Sequence, residues 1–113
     1  MRVELLYFDG CPGYERFLPR LRELLARAGI DCEVELRRVG SPRAAVEQRF
    51  LGSPTVRVDG VDVEPEASRR SDFGLKCRLY STDGGLQQTP PDGWVLHALK
   101  TRRRREDGDP GRA

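Results

Sequence analysis

The feature that most constrains the fold is an apolar run at residues 3–8 that leads through a short turn into a long amphipathic stretch. The run reads Val-Glu-Leu-Leu-Tyr-Phe, which predicts a strand buried on both faces of a sheet. Apolar side chains then recur at three- and four-residue steps over residues 14–28, which predicts a helix that ends at Gly29. Pro12 falls in the first turn of this helix, where proline is tolerated, whereas Pro19 lies inside it and predicts a kink. The chain therefore begins with a strand, a turn and a helix.

The middle of the chain adds a second strand and a second helix. Residues 32–39 alternate apolar and charged side chains, which predicts a strand with one buried face, parallel to the first through a right-handed crossover. Ser41 and Pro42 form an N-cap followed by a first-turn proline, and they predict a short helix that extends to Phe50. The predicted inner face of this helix consists of Ala45, Val46 and Phe50.

A hairpin and a loop are predicted next. Residues 55–58 and 61–63 have strand character and flank Asp59-Gly60, which is a two-residue hairpin signal. Residues 64–76 lose periodicity and predict a loop.

The last strand and the last helix complete the predicted elements. Residues 75–81 alternate as a strand, residues 83–85 predict a turn, and Pro90-Pro91-Asp92 opens a helix. We expect Leu75, Cys77 and Leu79 on one face of this strand and Lys76, Arg78 and Tyr80 on the other.

Length and composition fit one small domain. The chain has 113 residues, of which 37% are hydrophobic and 34% charged, a composition typical of a globule with a charged surface. We expect an α/β domain at residues 1–101, ordered β-α-β-α-β-β-α with a four-stranded mixed sheet flanked by helices, and a disordered basic and acidic tail at 102–113. No leader pattern and no run of roughly 18 apolar residues occurs, which favours a cytoplasmic protein without membrane contact. A net charge of +2 argues against nucleic acid as a partner.

The three cysteines, Cys11, Cys32 and Cys77, predict neither a disulfide framework nor a metal site, because they are odd in number and lack ligand spacing. Cys11 lies at the start of the first helix, where unpaired N–H groups and the helix dipole favour the nucleophilic thiolate. Asp9 opposes this effect if its carboxylate points inward. Cys11 is thus the candidate reactive residue, and the alternative is a small buried hydrophobic side chain.

Three local motifs, together with the order of elements, resemble the thioredoxin and glutaredoxin superfamily. Cys-Pro-Gly-Tyr at residues 11–14 occupies the place of the Cys-x-x-Cys redox motif, and Pro19 follows Cys11 at the spacing of the helix-kinking proline of thioredoxins. Ser-Pro-Thr at residues 53–55 resembles the cis-proline signature that faces the cysteine. Because Tyr14 stands in place of the second cysteine, the chain resembles small bacterial thioredoxin-like proteins with a monothiol motif.

This resemblance implies a thioredoxin-like fold and a thiol–disulfide oxidoreductase that acts through the Cys11 thiolate by mixed-disulfide exchange. It implies no cofactor except a low-molecular-weight thiol as reductant, and as partner a thiol or disulfide substrate, proteins included. Pro54 should follow a cis peptide bond, and Gly84 resembles the position where glutaredoxins contact glutathione. The implied binding residues around Cys11 are Asp9, Pro12, Gly13, Tyr14, Ser53, Pro54, Thr55 and Gly84.

The roles of two groups of neighbours stay open at this point. The Tyr14 hydroxyl either donates to the Cys11 thiolate or the ring fixes the start of the helix to the core. The backbone groups of Ser53 and Thr55 are suited to hold an extended partner by strand-like pairing.

A second thiol is not evident from the sequence. Cys32 begins the second strand at the far end of the helix, about 22 Å from Cys11 at 1.5 Å per residue, and is predicted to belong to the core. If the last strand pairs antiparallel with residues 55–58, Cys77 lies about 10 to 14 Å back along it. A disulfide requires Cα atoms within about 7 Å. Cys77 is therefore predicted to be a core residue, with a resolving thiol as the alternative.

Two other functions remain as alternatives. One is a non-catalytic binding module in which the groove around Cys11 holds a partner protein or a soft metal. The other is organomercurial lysis, because the chain resembles a group of which some members are labelled as relatives of organomercurial lyases. Asp9 and Cys11 are close in sequence, but the expected remoteness of Cys32 and Cys77 makes lysis the least favoured reaction.

Overall fold

A computed structural model describes residues 1–108, with side chains for residues 1–103. The strands are β1 (Val3–Tyr7), β2 (Val34–Arg38), β3 (Thr55–Val58), β4 (Val61–Asp62), β5 (Tyr80–Thr82) and β6 (Gly85–Gln87). The helices are α1 (Gly13–Arg27), α2 (Pro42–Glu47) and α3 (Asp92–Gly108), with one short 3-10 turn at Ala67–Arg69.

Four strands form one mixed sheet in the order β2-β1-β3-β4. β1 pairs parallel with β2, which places Leu5 opposite Leu36, and antiparallel with β3, which places Leu5 opposite Val56. β3 and β4 form the hairpin predicted at Asp59-Gly60. The predicted mixed α/β fold with a four-stranded mixed sheet is therefore confirmed. β5 and β6 form a separate two-stranded hairpin.

The core consists of two clusters because successive side chains of β1 point to opposite faces of the sheet. Leu5 belongs to the larger cluster, which joins the sheet to α1 and α3, and Leu6 belongs to the smaller one, which includes Ala45 of α2. β1 is therefore buried on both sides, as its apolar run predicts. Even Glu4 of β1 is buried, and its carboxylate accepts a hydrogen bond from Arg37 Nη1 at 2.5 Å.

Helix α1 has the predicted amphipathic pattern. Its buried side chains are Phe17, Leu21, Leu24 and Leu25. Gly29 follows the helix with a φ of 70°, a left-handed conformation that favours glycine after a helix end. Arg103 Nη1 of α3 donates to the Ala28 carbonyl at 2.6 Å and so ties the two helices together.

Helix α2 is shorter than predicted. The Ser41 hydroxyl caps it by accepting from Ala44 N at 3.0 Å, as expected. It ends at Glu47 and not at Phe50, because Arg49 adopts a φ of 54° that a helix does not allow. Phe50 is buried, but the prediction for Val46 is wrong, since the short helix leaves that side chain exposed to solvent.

The second strand also differs from its prediction. β2 begins at Val34, so Cys32 precedes it, and Leu36 is exposed instead of buried. β2 is an edge strand, and its charged face is not simply solvated, because Arg37 folds onto Glu4 of the neighbouring strand. Ion pairing with Glu4 thus partly buries Arg37, a side chain that the alternating sequence pattern assigns to solvent.

The predicted strand at residues 75–81 is wrong in extent, pairing and facing. Only Cys77 forms an isolated bridge, parallel to Ser53, and the strand β5 begins at Tyr80 and pairs with β6. Arg78 and Tyr80 are buried, whereas Cys77 and Leu79 are exposed. The prediction that Cys77 is a core residue is therefore wrong: the buried face is the one that carries Arg78, whose guanidinium is neutralised by buried partners.

The last helix packs through Val95 and Leu99, which are buried against the larger cluster. It continues through Gly108, so residues 102–108, expected in a disordered tail, are helical. Residues 109–113 of that predicted tail lie outside the described residues. No helix in the described part of the chain is long and apolar enough to cross a membrane.

Candidate functional site

Cys11 lies in the turn between β1 and α1. Its backbone N–H donates to the Phe8 carbonyl at 3.3 Å, and Pro12 is the N-cap residue of the helix that begins at Gly13. The Cys11 residue is only 6% exposed. A Cβ placed on Gly13 would lie 3.8 Å from Cys11 Sγ and 3.9 Å from Pro54 Cδ, so the turn packs directly against Pro54.

Ser53, the residue before Pro54, is a polar partner of the Cys11 thiol. Cys11 Sγ donates to the Ser53 carbonyl at 3.6 Å, and the Ser53–Pro54 peptide bond is cis, as predicted. Ser53 and Thr55 are both fully buried. Of the predicted neighbours, Ser53 thus contacts the Cys11 sulfur, and Gly13 and Pro54 pack in the same turn.

The backbone of Ser53 is already paired with a segment of the same chain. Its N–H donates to the Lys76 carbonyl at 2.8 Å, and its carbonyl accepts from the Arg78 N–H at 2.9 Å. The prediction that the Ser53 backbone is available to an extended partner is therefore wrong. Gly52 permits the close approach, because a Cβ there would lie 2.9 Å from the Lys76 carbonyl oxygen.

This pairing carries Cys77 to the Cys11 thiol. Cys77 is bridged to Ser53, whose carbonyl accepts from the Cys11 thiol, so both cysteines flank the same residue. Interaction with Cys11 is the main cause that raises the pKa of Cys77, followed by desolvation and by the negative charge of a Cys11 thiolate. The antiparallel pairing behind the expected separation of about 10 to 14 Å is wrong. The parallel bridge to Ser53 replaces the antiparallel register and shortens the path between the two cysteines.

A buried arginine holds the Cys77 segment in place. Arg78 Nη1 donates to Thr55 Oγ1 at 2.8 Å and to Asp62 Oδ2 at 2.7 Å, and Arg78 Nη2 donates to Glu64 Oε1 at 3.2 Å. The Arg78 side chain is fully buried, and Asp62 and Glu64 are mostly so. Breaking such a buried ion pair leaves uncompensated charge, so these contacts fix residues 77–78 against β3.

Tyr80 provides a second anchor. Its hydroxyl donates to the Pro54 carbonyl, and its ring lies under the Arg78 guanidinium at 4.4 Å from carbon to centroid. Burial raises the pKa of the Tyr80 hydroxyl, which therefore stays a protonated donor. The segment is thus attached on both sides of Pro54.

Two predicted binding residues, Asp9 and Tyr14, have other contacts. The exposed Asp9 carboxylate accepts from Arg38 Nε at 2.7 Å. The Tyr14 ring stacks on Tyr7 with centroids 3.9 Å apart, and its hydroxyl donates to Glu15 at 3.2 Å. Partial burial and the contact with Glu15 raise the pKa of Tyr14. Of the two roles considered for Tyr14, the structure shows the packing role.

The remaining predicted residues, Gly84 and Cys32, lie away from the thiol pair. Gly84 is exposed in the turn between β5 and β6, where its N–H donates to Thr82 Oγ1 at 3.2 Å. Cys32 packs against the larger core cluster, as predicted. Among the residues that the structure describes, no group of three or more His, Cys, Asp or Glu side chains could hold a metal ion.

Sequence reasoning missed the anchoring residues Arg78, Tyr80, Asp62 and Glu64. The one available signal was charge complementarity between Arg78 and the acidic positions after β3, which the loop prediction for residues 64–76 obscured.

Comparisons with known proteins do not add a further assignment. No protein-family model, no curated protein and no solved structure showed significant similarity to the chain.

Proposed function

We propose that this protein is a thiol–disulfide oxidoreductase with a thioredoxin-like architecture, in which Cys11 and Cys77 form the exchange pair. The observation that carries the proposal is that both cysteines meet at Ser53, since Cys11 Sγ donates to its carbonyl at 3.6 Å and Cys77 forms a bridge with it. The sequence resemblance supports it, as do the parallel pairing of β1 with β2 and the antiparallel pairing of β1 with β3. Cys77 thereby provides the second thiol, which the turn itself lacks because Tyr14 occupies the position of the second cysteine.

The first step is attack by the Cys11 thiolate on one sulfur of a substrate disulfide. A bond forms between Cys11 Sγ and that sulfur, the substrate S–S bond breaks, and the departing thiolate takes a proton from solvent. Before the attack, Cys77 lies beside the Ser53–Cys11 contact as a protonated thiol. The raised pKa of Cys77 keeps its proton in place at this stage.

The second step releases the mixed disulfide. Once Cys11 has lost its charge, Cys77 loses its proton and attacks Cys11 Sγ, which forms the Cys11–Cys77 disulfide and expels the remaining substrate thiolate. Two electrons have then passed from the protein to the substrate. A low-molecular-weight thiol restores the reduced pair by the same exchange in reverse, as the monothiol resemblance implies for the reductant.

The site favours low-molecular-weight disulfides over extended peptides as substrates. Cys11 is almost fully covered, and the Ser53 backbone groups that would pair with a peptide are bound to Lys76 and Arg78. A peptide must first displace a segment that is anchored by buried contacts. A small disulfide needs access only to one sulfur atom.

Turnover of a small disulfide by cysteine variants tests this function. The wild-type protein and Cys32→Ser, a control outside the site, should reduce oxidised glutathione or hydroxyethyl disulfide at equal rates with a thiol reductant. Cys11→Ser should reduce the rate by at least about 100-fold, because the attacking group is lost. Cys77→Ser should accumulate a mixed disulfide on Cys11. Full activity in Cys11→Ser would contradict the proposal.

The same contact favours one alternative, the binding of a soft monovalent metal. Two adjacent thiolates are the ligands that Cu(I) prefers. Copper(I) titration against a competing chelator separates the two functions: tight binding by the wild type that is lost in both Cys11→Ser and Cys77→Ser, without disulfide turnover, would favour metal binding. Turnover of disulfides without tight binding would favour the oxidoreductase.

A further inference from the structure

A cavity of about 730 Å³ is lined by the residues that follow α2, the β3–β4 hairpin, the segment after β4 and helix α3. Neither cysteine of the exchange pair lines it, and neither do Ser53 and Pro54. Its volume falls within the roughly 300 to 1,000 Å³ typical of small-molecule sites. The proposed exchange chemistry gives this cavity no role.

Most of the cavity wall is apolar. It includes buried side chains of the sheet and the segment after it, and it includes the single tryptophan of the chain. Apolar lining residues include Leu51, Val58, Val63, Ala67, Phe73 and Trp94. An apolar segment of a ligand would displace water from this wall, which is favourable in proportion to the area covered.

The polar part of the wall includes arginines that form no salt bridge among the described side chains. Arg57 donates to the carbonyls of Gln48 at 2.5 Å and Arg49 at 3.3 Å, but it forms no salt bridge with a carboxylate among residues 1–103. Burial is the main cause that lowers the pKa of Arg57, and the charges of Asp62 and Glu4 oppose it only in part, so a further anion beside Arg57 would add to their effect. Arg49 lies over the Phe73 ring at 5.1 Å and likewise forms no salt bridge within the described side chains.

The acidic residues of the wall do not balance these charges. Asp62 is bound by Arg78, and Glu64 is bound by Arg78 and Arg70, so the ion pairs of both carboxylates are with arginines other than Arg49 and Arg57. The side-chain oxygen of Gln48 is buried without a hydrogen-bond partner in the described structure. Rotation of this amide would present its NH₂ group to an anion instead.

We propose that this cavity binds a small amphipathic carboxylate, with its apolar tail against Phe73 and Trp94 and its carboxylate beside Arg49 and Arg57. A guanidinium binds a carboxylate through paired N–H donors, which a neutral headgroup does not match. The apolar wall would contact the tail of the ligand. Arg49 and Arg57, which form no salt bridge among the described side chains, would pair with its carboxylate. This site is independent of the exchange pair.

Decanoate and decanol are matched probes for this site, since they share a chain and differ in charge. Because Trp94 is the only tryptophan and lines the cavity, its fluorescence reports occupancy of the cavity in the intact protein. We expect decanoate to change the emission saturably and to bind at least about fivefold more tightly than decanol, with a preference that weakens in high salt. Equal affinities for the two probes, or no saturable change, would overturn the proposal.

Variants test the two halves of the site separately. Arg49→Gln should remove most of the preference for decanoate and leave decanol binding unchanged, whereas Arg43→Gln, an exposed arginine that pairs with Glu47 outside the cavity, should behave as wild type. Ala98→Phe extends a ring into the cavity from α3 and should weaken both probes. Retained decanoate preference in Arg49→Gln would overturn the assigned position of the carboxylate.

Discussion

The two segments that meet at the exchange pair differ in how their sequences encode their structure. The turn at residues 9–14 follows a buried strand and precedes an amphipathic helix, and its backbone path follows from those neighbours. The segment at residues 74–80 has almost no regular structure and is held by side-chain contacts of Arg78 and Tyr80. One cysteine is positioned by secondary structure, and the other is positioned by a buried ion pair and a phenol.

This difference shows where hydrophobic alternation stops being informative. Alternation assigns a charged side chain to solvent, because burying an unpaired charge is costly. Arg78 is buried nonetheless, since Asp62 and Glu64 neutralise it and Thr55 accepts one of its hydrogen bonds. The neighbours of a buried arginine consequently face the opposite way from the one that alternation predicts.

The largest expected effect follows from removal of the buried guanidinium. Arg78→Met keeps an apolar stem but leaves Asp62 without its arginine partner and Glu64 with only Arg70, so unfolding in urea should show a loss of about 3 to 5 kcal/mol. Arg43→Met is the matched control, because this exposed arginine pairs only with Glu47, and it should cost less than about 0.5 kcal/mol. Equal losses in the two variants would contradict the buried role of Arg78.

A pair of adjacent truncations tests the facing of the segment. Tyr80→Ala removes a buried ring and the donor to the Pro54 carbonyl, and it should lower the free energy of unfolding by about 3 kcal/mol or more. Leu79→Ala removes a side chain that is 51% exposed and should cost less than about 1 kcal/mol. The opposite order of losses would restore the alternation predicted from the sequence.

The pKa of Cys77 tests the contact between the two segments. In the wild type, the interaction with Cys11 and the negative charge of its thiolate oppose a second thiolate, so Cys77 holds its proton to higher pH than an ordinary thiol. Cys11→Ala removes both causes, and the pKa of Cys77 should fall toward the ordinary value. The pH dependence of Cys77 alkylation, followed by peptide mass spectrometry, measures this change. Identical profiles in both proteins would show that the two thiols do not interact.

The smallest effect is expected in the turn itself. Tyr14→Phe keeps the stack on Tyr7 and removes only the hydroxyl that donates to Glu15. Stability should change by less than about 1 kcal/mol, and the rate of Cys11 alkylation should stay within about twofold of wild type. A large drop in Cys11 reactivity would instead assign the Tyr14 hydroxyl to the thiolate.

Much of the fold could be predicted from the sequence, because β1, α1 and the β3–β4 hairpin each carry a local pattern of apolar spacing, caps or turn residues. Cys11, Ser53 and Pro54 were likewise predicted to meet, and they do. The position of Cys77 could not be predicted, since it depends on a parallel bridge to Ser53 and on long-range ion pairs of Arg78. No local pattern encodes a contact between residues so far apart in the chain.

The most direct test is the identity of the disulfide that forms when the reduced protein is oxidised by one equivalent of a small disulfide. Proteolysis without reduction, followed by mass spectrometry, identifies the linked peptides. We predict one intramolecular bond between Cys11 and Cys77, with Cys32 recovered as a thiol, and the same bond in Cys32→Ser. A stable adduct on Cys11 with Cys77 still reduced, or a bond that involves Cys32, would contradict the exchange pair.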